Sequence, residues 1–307
     1  SGYYNVSIGQ SSMFNNTTGY YNTTLGAFAL SSNTTGADNL ALGSNALYYN
    51  TTGSSNTAIG SGAMLGVAGS STGSYNVAVG GGTLAGLTVG VSNTAMGFYA
   101  LKNNSSGYYN TALGSNALEK NTSANYNVAL GWNSMNSNVT GYYNTAVGTN
   151  SLLSNTTAYY NSALGWEALK LNTTGQYNTA SGSSALFKNV DGNYNTANGN
   201  IALYNNTSGT NNTAIGNQSL YNNSTGGSNT GIGTSALYGN TTGQYNTAVG
   251  LGAGYNATSG NSNTFVGYNT GLGITIGGSN TIIGANVTGL TSSLANTVIL
   301  ADGSGNQ

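Results

Sequence analysis

The 17-residue spacing of one short motif constrains the fold of this chain more than any other feature. The motif reads Tyr-Asn-Thr-Ala-Val-Gly at 143–148 and returns, strictly or loosely, from one end of the sequence to the other. Its asparagine marks 18 repeats between Asn5 and Asn296. The spacing gains three residues between Asn56 and Asn76 and is interpreted as one residue shorter before Asn296. A fixed period of about 20 residues is typical of a solenoid, in which each repeat contacts only its neighbours.

Glycines divide each repeat into segments that are too short for helices. Numbered from the marker asparagine as position 0, the repeat carries glycine at +4 and, in most copies, at +14, and the segments between are five to nine residues long. Such segments suit strands, and the Asn, Thr and Gly content opposes helix. We expect a strand from −1 to +3, with alanine at +2, an aliphatic residue at +3, and an Ala-Leu pair again at +7 and +8. The sequence therefore predicts an all-β parallel β-solenoid, or β-roll, of about 18 coils.

Stacking of the coils predicts two structural columns. Marker asparagines about 4.8 Å apart can form an amide ladder, and an internal ladder is favoured over a binding face. The ladder is expected at Asn110, Asn127, Asn144, Asn161, Asn178, Asn195 and Asn212. Glycines that allow positive φ or close backbone approach are expected to form turns; these are Gly114, Gly131, Gly148, Gly165, Gly182, Gly199 and Gly216.

Apolar residues on both sides of each strand predict self-association. Consecutive strand residues point to opposite faces, so a coil with one interior leaves a second apolar face. A further copy of the chain is the simplest cover, and we expect a homotrimer with the +3 or +8 row on its axis; assembly into a filament is the alternative. The net charge of −1 offers little repulsion between copies.

The pattern changes near the C-terminal end of the sequence. Residues 1–250 are predicted to be regular repeats, and 251–307 to be divergent coils that lead to a missing C-terminal module. Glycine replaces the +8 leucine at Gly254 and Gly271, and large residues replace the +2 alanine at Phe265, Ile282 and Val298.

The Asn-Thr-Ala-aliphatic-Gly core resembles the head repeats of YadA-type trimeric autotransporter adhesins. The longer pattern at 109–118 is similar to repeats of tail-fibre-type proteins that precede an intramolecular chaperone domain, and 279–284 and 296–307 are similar to the junction before that domain. The resemblance implies a trimeric rod on a cell or virion surface. The 17-residue coil departs from the shorter adhesin repeat.

Composition argues against several functions. Cysteine and histidine are absent, which removes disulfides and the commonest metal ligand, and no cofactor is expected. Five carboxylates are scattered over different coils, so we predict that the chain is not an enzyme. Four lysines form no basic patch, and nucleic acid is not an expected partner. No apolar run reaches the roughly 20 residues of a membrane span.

Two further columns leave alternatives open. Tyrosine at −1 suits protein interfaces or sugar stacking, although stacking between coils is favoured. The +11 column holds sequons, which read either as glycosylation sites or as plain turn residues: Asn16, Asn33, Asn50, Asn104, Asn121, Asn138, Asn155, Asn172, Asn206, Asn223 and Asn240. We predict an extracellular structural fibre segment that presents a surface for attachment, with cell-surface glycans as possible partners. The alternative is a carbohydrate- or ice-binding solenoid that uses the threonine row at +1.

Overall fold

The prediction of an all-β parallel solenoid with a 17-residue repeat is confirmed. The computed structural model describes residues 2–302, and the chain divides into unit 1, which ends at Thr157, and unit 2, which begins at Ala158. Within the described residues there is no helix, and each coil contributes one three-residue strand followed by a series of turns.

The strands of each unit pair in parallel with their neighbours along the chain, so that equivalent positions of successive coils lie side by side. Unit 1 contains β1 Val6–Ile8, β2 Thr23–Leu25, β3 Leu40–Leu42, β4 Thr57–Ile59, β5 Val77–Val79, β6 Thr94–Met96, β7 Thr111–Leu113, β8 Val128–Leu130 and β9 Thr145–Val147. Unit 2 contains β10 Ser162–Leu164, β11 Thr179–Ser181, β12 Thr196–Asn198, β13 Thr213–Ile215, β14 Thr230–Ile232, β15 Thr247–Val249, β16 Thr264–Val266, β17 Thr281–Ile283 and β18 Val298–Leu300.

The strands are shorter than predicted, because only +1 to +3 pair. The middle residue points inward: the +2 alanines, such as Ala112 and Ala214, are fully buried, while +1 and +3 lie on the outer face. The Ala-Leu pair at +7 and +8, as in Ala117 and Leu118, lies in turns rather than in a second strand, and it is also fully buried. The core of each coil is therefore built from +2, +7 and +8. The +8 row is buried within its own coil, so the expectation that it lies on an intermolecular axis was wrong.

Left-handed backbone at three positions of most coils makes the turns, and the sequence did not predict it. Tyr126 at −1, Asn116 at +6 and Leu118 at +8 have φ of 57°, 58° and 52°, and the same positions repeat this conformation along the chain. A non-glycine residue in this region costs roughly 1–2 kcal/mol. The conformation persists because each residue is held by a backbone hydrogen bond to the neighbouring coil, as in Leu118 N–H to the Ser134 carbonyl at 3.0 Å.

The structure corrects the register of the last coil. Ile282 of β17 pairs with Ile299 of β18, so Ile299 occupies +2, where it is nearly buried, and Val298 at +1 is 71% exposed. Thr297 takes position 0 and donates its N–H to the Asn280 side-chain oxygen at 3.2 Å. The assignment of Asn296 as the last marker was wrong, because the strand register keeps 17 residues where the motif suggested a deletion.

The glycines at +8 near the C-terminal end are explained by one large neighbour. Phe265 at +2 is fully buried, and its ring lies where Cβ atoms of Gly254 and Gly271 would be. The ring therefore fills the volume that leucines occupy in regular coils. The prediction that 251–307 forms a separate divergent region stays a prediction; β16 and β17 continue the parallel pairing of the earlier strands.

Candidate functional surface

The marker asparagines form a buried ladder inside the coil. In unit 2, Asn212 donates its side-chain Nδ2 to Asn195 Oδ1 at 3.1 Å and to the Gly226 carbonyl at 2.8 Å. Its backbone N–H also donates to Asn195 Oδ1, at 3.0 Å. Each side-chain amide thus forms hydrogen bonds with backbone N–H and C=O groups that face the interior. Buried polar groups require such partners. All seven predicted ladder residues are fully buried, so this column offers no binding face.

A second buried ladder runs through the sequon positions. Asn223 donates to Asn206 Oδ1 at 2.8 Å and to the Gly226 carbonyl at 3.0 Å, so that carbonyl accepts from both ladders. Asn16 is half-buried, and the other ten sequon asparagines are buried. Glycosylation stays a prediction, but the folded coil uses these amides in its core, where a glycan would displace the neighbouring coil.

The predicted turn glycines have a backbone that few side chains can follow. Their φ values run from 126° to 144°. A Cβ built on Gly131 would lie 2.6 Å from the carbonyl oxygen of Gly148 in the next coil. Conformation and close approach therefore both require glycine at +4.

The outer face of the strands carries a threonine row and an aliphatic row. In unit 2, threonine at +1 occupies seven consecutive strands; the first two are exposed and the other five half-buried: Thr179, Thr196, Thr213, Thr230, Thr247, Thr264 and Thr281. The +3 row beside it includes Ile215, Ile232 and Val249, each about 40% exposed. Ser181 and Asn198 interrupt this row at adjacent strands; because they face outward, they carry no cost of burial within a single chain.

Stacked tyrosines flank the outer face at position −1. The Tyr126 ring lies 5.2 Å from Tyr109 and 4.9 Å from Tyr143, and both pairs are within 16° of parallel. The pKa of the Tyr126 hydroxyl is raised above its usual range. The main cause is partial desolvation in the stack, and the neighbouring phenols of Tyr108 and Tyr143 contribute less. Because neighbours cover the ring faces inside the stack, mainly ring edges and hydroxyls remain for a ligand. This arrangement disfavours sugar stacking on those faces.

A second aromatic column, at position +9, was not predicted from the sequence. The Tyr204, Tyr221, Tyr238 and Tyr255 rings are stacked in sequence, with centroids 5.4, 5.2 and 4.9 Å apart and planes within 12° of parallel. Phe187 extends the column at one end, 5.0 Å from Tyr204. The 17-residue spacing of these aromatics was the signal that could have revealed the column. We call Tyr204, Tyr221, Tyr238 and Tyr255 the +9 tyrosine ladder.

Charged groups form no reactive cluster in the described part of the chain. Lys170 and Glu167 are paired at 2.6 Å, three residues apart, and Lys102 lies over the Tyr99 ring at 3.8 Å. No group of three acidic side chains that could hold a metal ion occurs in residues 2–302. The same residues include no helix long and apolar enough to cross a membrane.

A scan of the chain against protein-family models and a search among curated proteins give no match.

Proposed function

We propose that this chain is an extracellular structural fibre segment, adhesin-like or tail-fibre-like, and that it is not an enzyme. The observation that carries the proposal is the composition of the described surface: ordered columns of Thr, aliphatic and Tyr side chains repeat from coil to coil. Charged groups are few, and they neither converge on a site nor create a strong field. These features favour a structural role, in which one surface is presented repeatedly on a cell or virion, over catalysis.

Self-association through the +3 row belongs to the same proposal. On the strands after the interruption at Ser181 and Asn198, exposed aliphatic side chains such as Ile215, Ile232 and Val249 form an apolar strip, and such strips mark interaction sites. A closed homotrimer would cover all three strips symmetrically. The near-neutral chain offers little repulsion against this contact.

Light scattering combined with electron microscopy tests the assembly. We expect the mass of three chains and rod-like particles. Ile232→Lys should place a charge in the strip and release single chains, whereas Thr234→Lys, two residues away at an exposed +5 position, should leave the assembly intact. A wild-type chain that remains a folded monomer as its concentration is raised would refute self-association through this row.

A second candidate function is binding to ice or to a crystalline carbohydrate, and the threonine row favours it. Seven successive threonines at the strand spacing of about 4.8 Å form a regular outward-facing array. Measurement of thermal hysteresis and of ice-crystal shape tests this function. Thr213→Lys should abolish such activity. Thr241→Val should not, because Thr241 lies at +12, outside the threonine row, and its hydroxyl donates to the Thr258 carbonyl at 3.1 Å. Absence of hysteresis in the wild type, together with no retention on insoluble polysaccharide, would remove this candidate.

A further inference from the structure

The +9 tyrosine ladder presents four phenols at a fixed spacing. Successive rings are 4.9 to 5.4 Å apart and nearly parallel. Tyr255 is 39% exposed and the other three are half-buried, so solvent reaches the column. Such an array places each phenol ring directly beside the ring of the next coil.

The backbone holds this spacing in register. The Tyr221 carbonyl accepts a hydrogen bond from Asn205 N–H at 3.0 Å, and the Tyr238 carbonyl accepts one from Asn222 N–H at 3.1 Å. The preceding +8 residues, Leu203, Leu220 and Leu237, are fully buried. Because both sides of each tyrosine are fixed to the neighbouring coil, the rings cannot drift apart while the coil is folded. Two groups held in this way react as if at high effective concentration.

We propose that the +9 tyrosine ladder is a site of oxidative tyrosine–tyrosine coupling, in which a peroxidase and hydrogen peroxide join neighbouring coils through dityrosine bonds. Each of two phenols loses one electron and one proton, and the resulting radicals form a bond between ortho carbons of the two rings. The hydrogens on those carbons then move to the oxygens and restore both phenols. Hydrogen peroxide takes up the two electrons and two protons and becomes two molecules of water.

The column itself defines which pairs can form. Phe187 lacks a phenolic hydroxyl and ends the ladder on one side, and Leu272 occupies +9 in the coil after Tyr255. The expected bonds are therefore 204–221, 221–238 and 238–255. Each would close a loop through one coil, and a cross-link of this kind stabilises mainly by restricting the unfolded chain.

Two exposed tyrosines outside any column provide an internal control. Tyr75 and Tyr245 are 67% and 64% exposed, more than any ladder tyrosine. Position −1 holds serine in the coils before and after each of them, at Ser55 and Ser92 and at Ser228 and Ser262. Coupling driven by exposure alone would favour these two tyrosines, whereas coupling driven by stacking would avoid them.

The experiment treats the full chain in dilute solution with peroxidase and hydrogen peroxide, followed by dityrosine fluorescence and mass spectrometry of a non-specific digest. We expect the three ladder bonds to exceed any bond that involves Tyr75 or Tyr245, and the thermal midpoint to rise. Tyr221→Phe keeps a stacked ring but lacks the hydroxyl, so it should remove 204–221 and 221–238 and retain 238–255. Tyr245→Phe should change nothing in the ladder.

Two results would overturn the proposal. One is a set of cross-links that follows exposure, with Tyr75 and Tyr245 most abundant. The other is consumption of tyrosine without ladder dityrosine in a chain that circular dichroism shows to be folded. Because the measurement concerns bonds within one chain, it does not depend on fibre assembly and separates this proposal from the proposed function.

Discussion

The end of the sequon ladder in unit 2 allows a quantitative test of what each rung contributes. Asn223 is an internal rung: it donates to Asn206 Oδ1 and to the Gly226 carbonyl, and its own oxygen accepts from Asn240 at 2.7 Å. Asn240 is the last rung, since the next coil has Ala257 at +11, and its Oδ1 is buried without a hydrogen-bond partner. The two side chains are equally buried, so alanine leaves cavities of similar size.

The two alanine variants differ in the bonds and unpaired groups that they create. Asn223→Ala removes three hydrogen bonds and leaves Asn206 Oδ1 unpaired. Asn240→Ala removes two, and although it leaves Asn223 Oδ1 unpaired, it eliminates the unpaired Asn240 oxygen. With about 1 kcal/mol for each bond and about 1–3 kcal/mol for each buried unpaired group, Asn223→Ala should cost roughly 4–6 kcal/mol and Asn240→Ala about 2 kcal/mol.

Urea unfolding of the two variants and the wild type, followed by circular dichroism, measures this difference. The difference between the two costs matters more than either value, because the cavity contribution is common to both variants and cancels. Repeat proteins can unfold in steps, so the comparison uses the transition that includes these coils and requires similar slopes. Equal destabilisation, or a larger effect of Asn240→Ala, would refute the view that ladder rungs act by satisfying one another.

Three further predictions follow from single positions. Gly131→Val should prevent folding of the coils around it, because φ is 133° and the Gly148 carbonyl lies too close to a Cβ; a thermal midpoint equal to that of a variant at the open position Gly69 would contradict this. Thr270→Ala should leave the free energy of unfolding unchanged or raise it by about 1–3 kcal/mol in chemical denaturation, because it removes a buried hydroxyl that has no partner; a clear loss of stability would count against it. Ile201→Asn should raise the unfolding midpoint relative to Ile201→Val, because Ile201 has φ of 49°, where asparagine is tolerated and β-branched residues are strained; equal midpoints would show that the strain is absent.

The repeat made much of the architecture predictable. The 17-residue period, the spacing of the glycines and the short segments between them predicted parallel stacked coils. A constant period places equivalent residues of successive coils side by side, and this fixes the register. The asparagine column at position 0 was expected as an internal ladder, and the structure buries it there. Sequence alone did not decide between the two meanings of the sequons, since Asn-x-Thr fits both an exposed acceptor and a buried turn.

Other features depended on backbone conformation that motifs do not encode. The left-handed φ at Tyr126 and Leu118 was not predictable from residue type, because bulky residues avoid that region unless neighbouring coils impose it. The last coil was misplaced for a related reason: an asparagine at 296 matched the motif, but hydrogen bonding placed Thr297 at the ladder position.

The repeat length, the class of fold and the polar or apolar character of each column could be predicted, because they follow from the period and from the residue types at each position. Which of the two neighbouring strand columns, +2 or +3, lies inside became clear from the folded coil. Alternation along the strand allows +2 or +3 to face the core, and the turns that carry Leu118 inward select +2. The structure also revealed the +9 tyrosine ladder, which the sequence analysis had missed; its rings come into contact only when the coils are stacked.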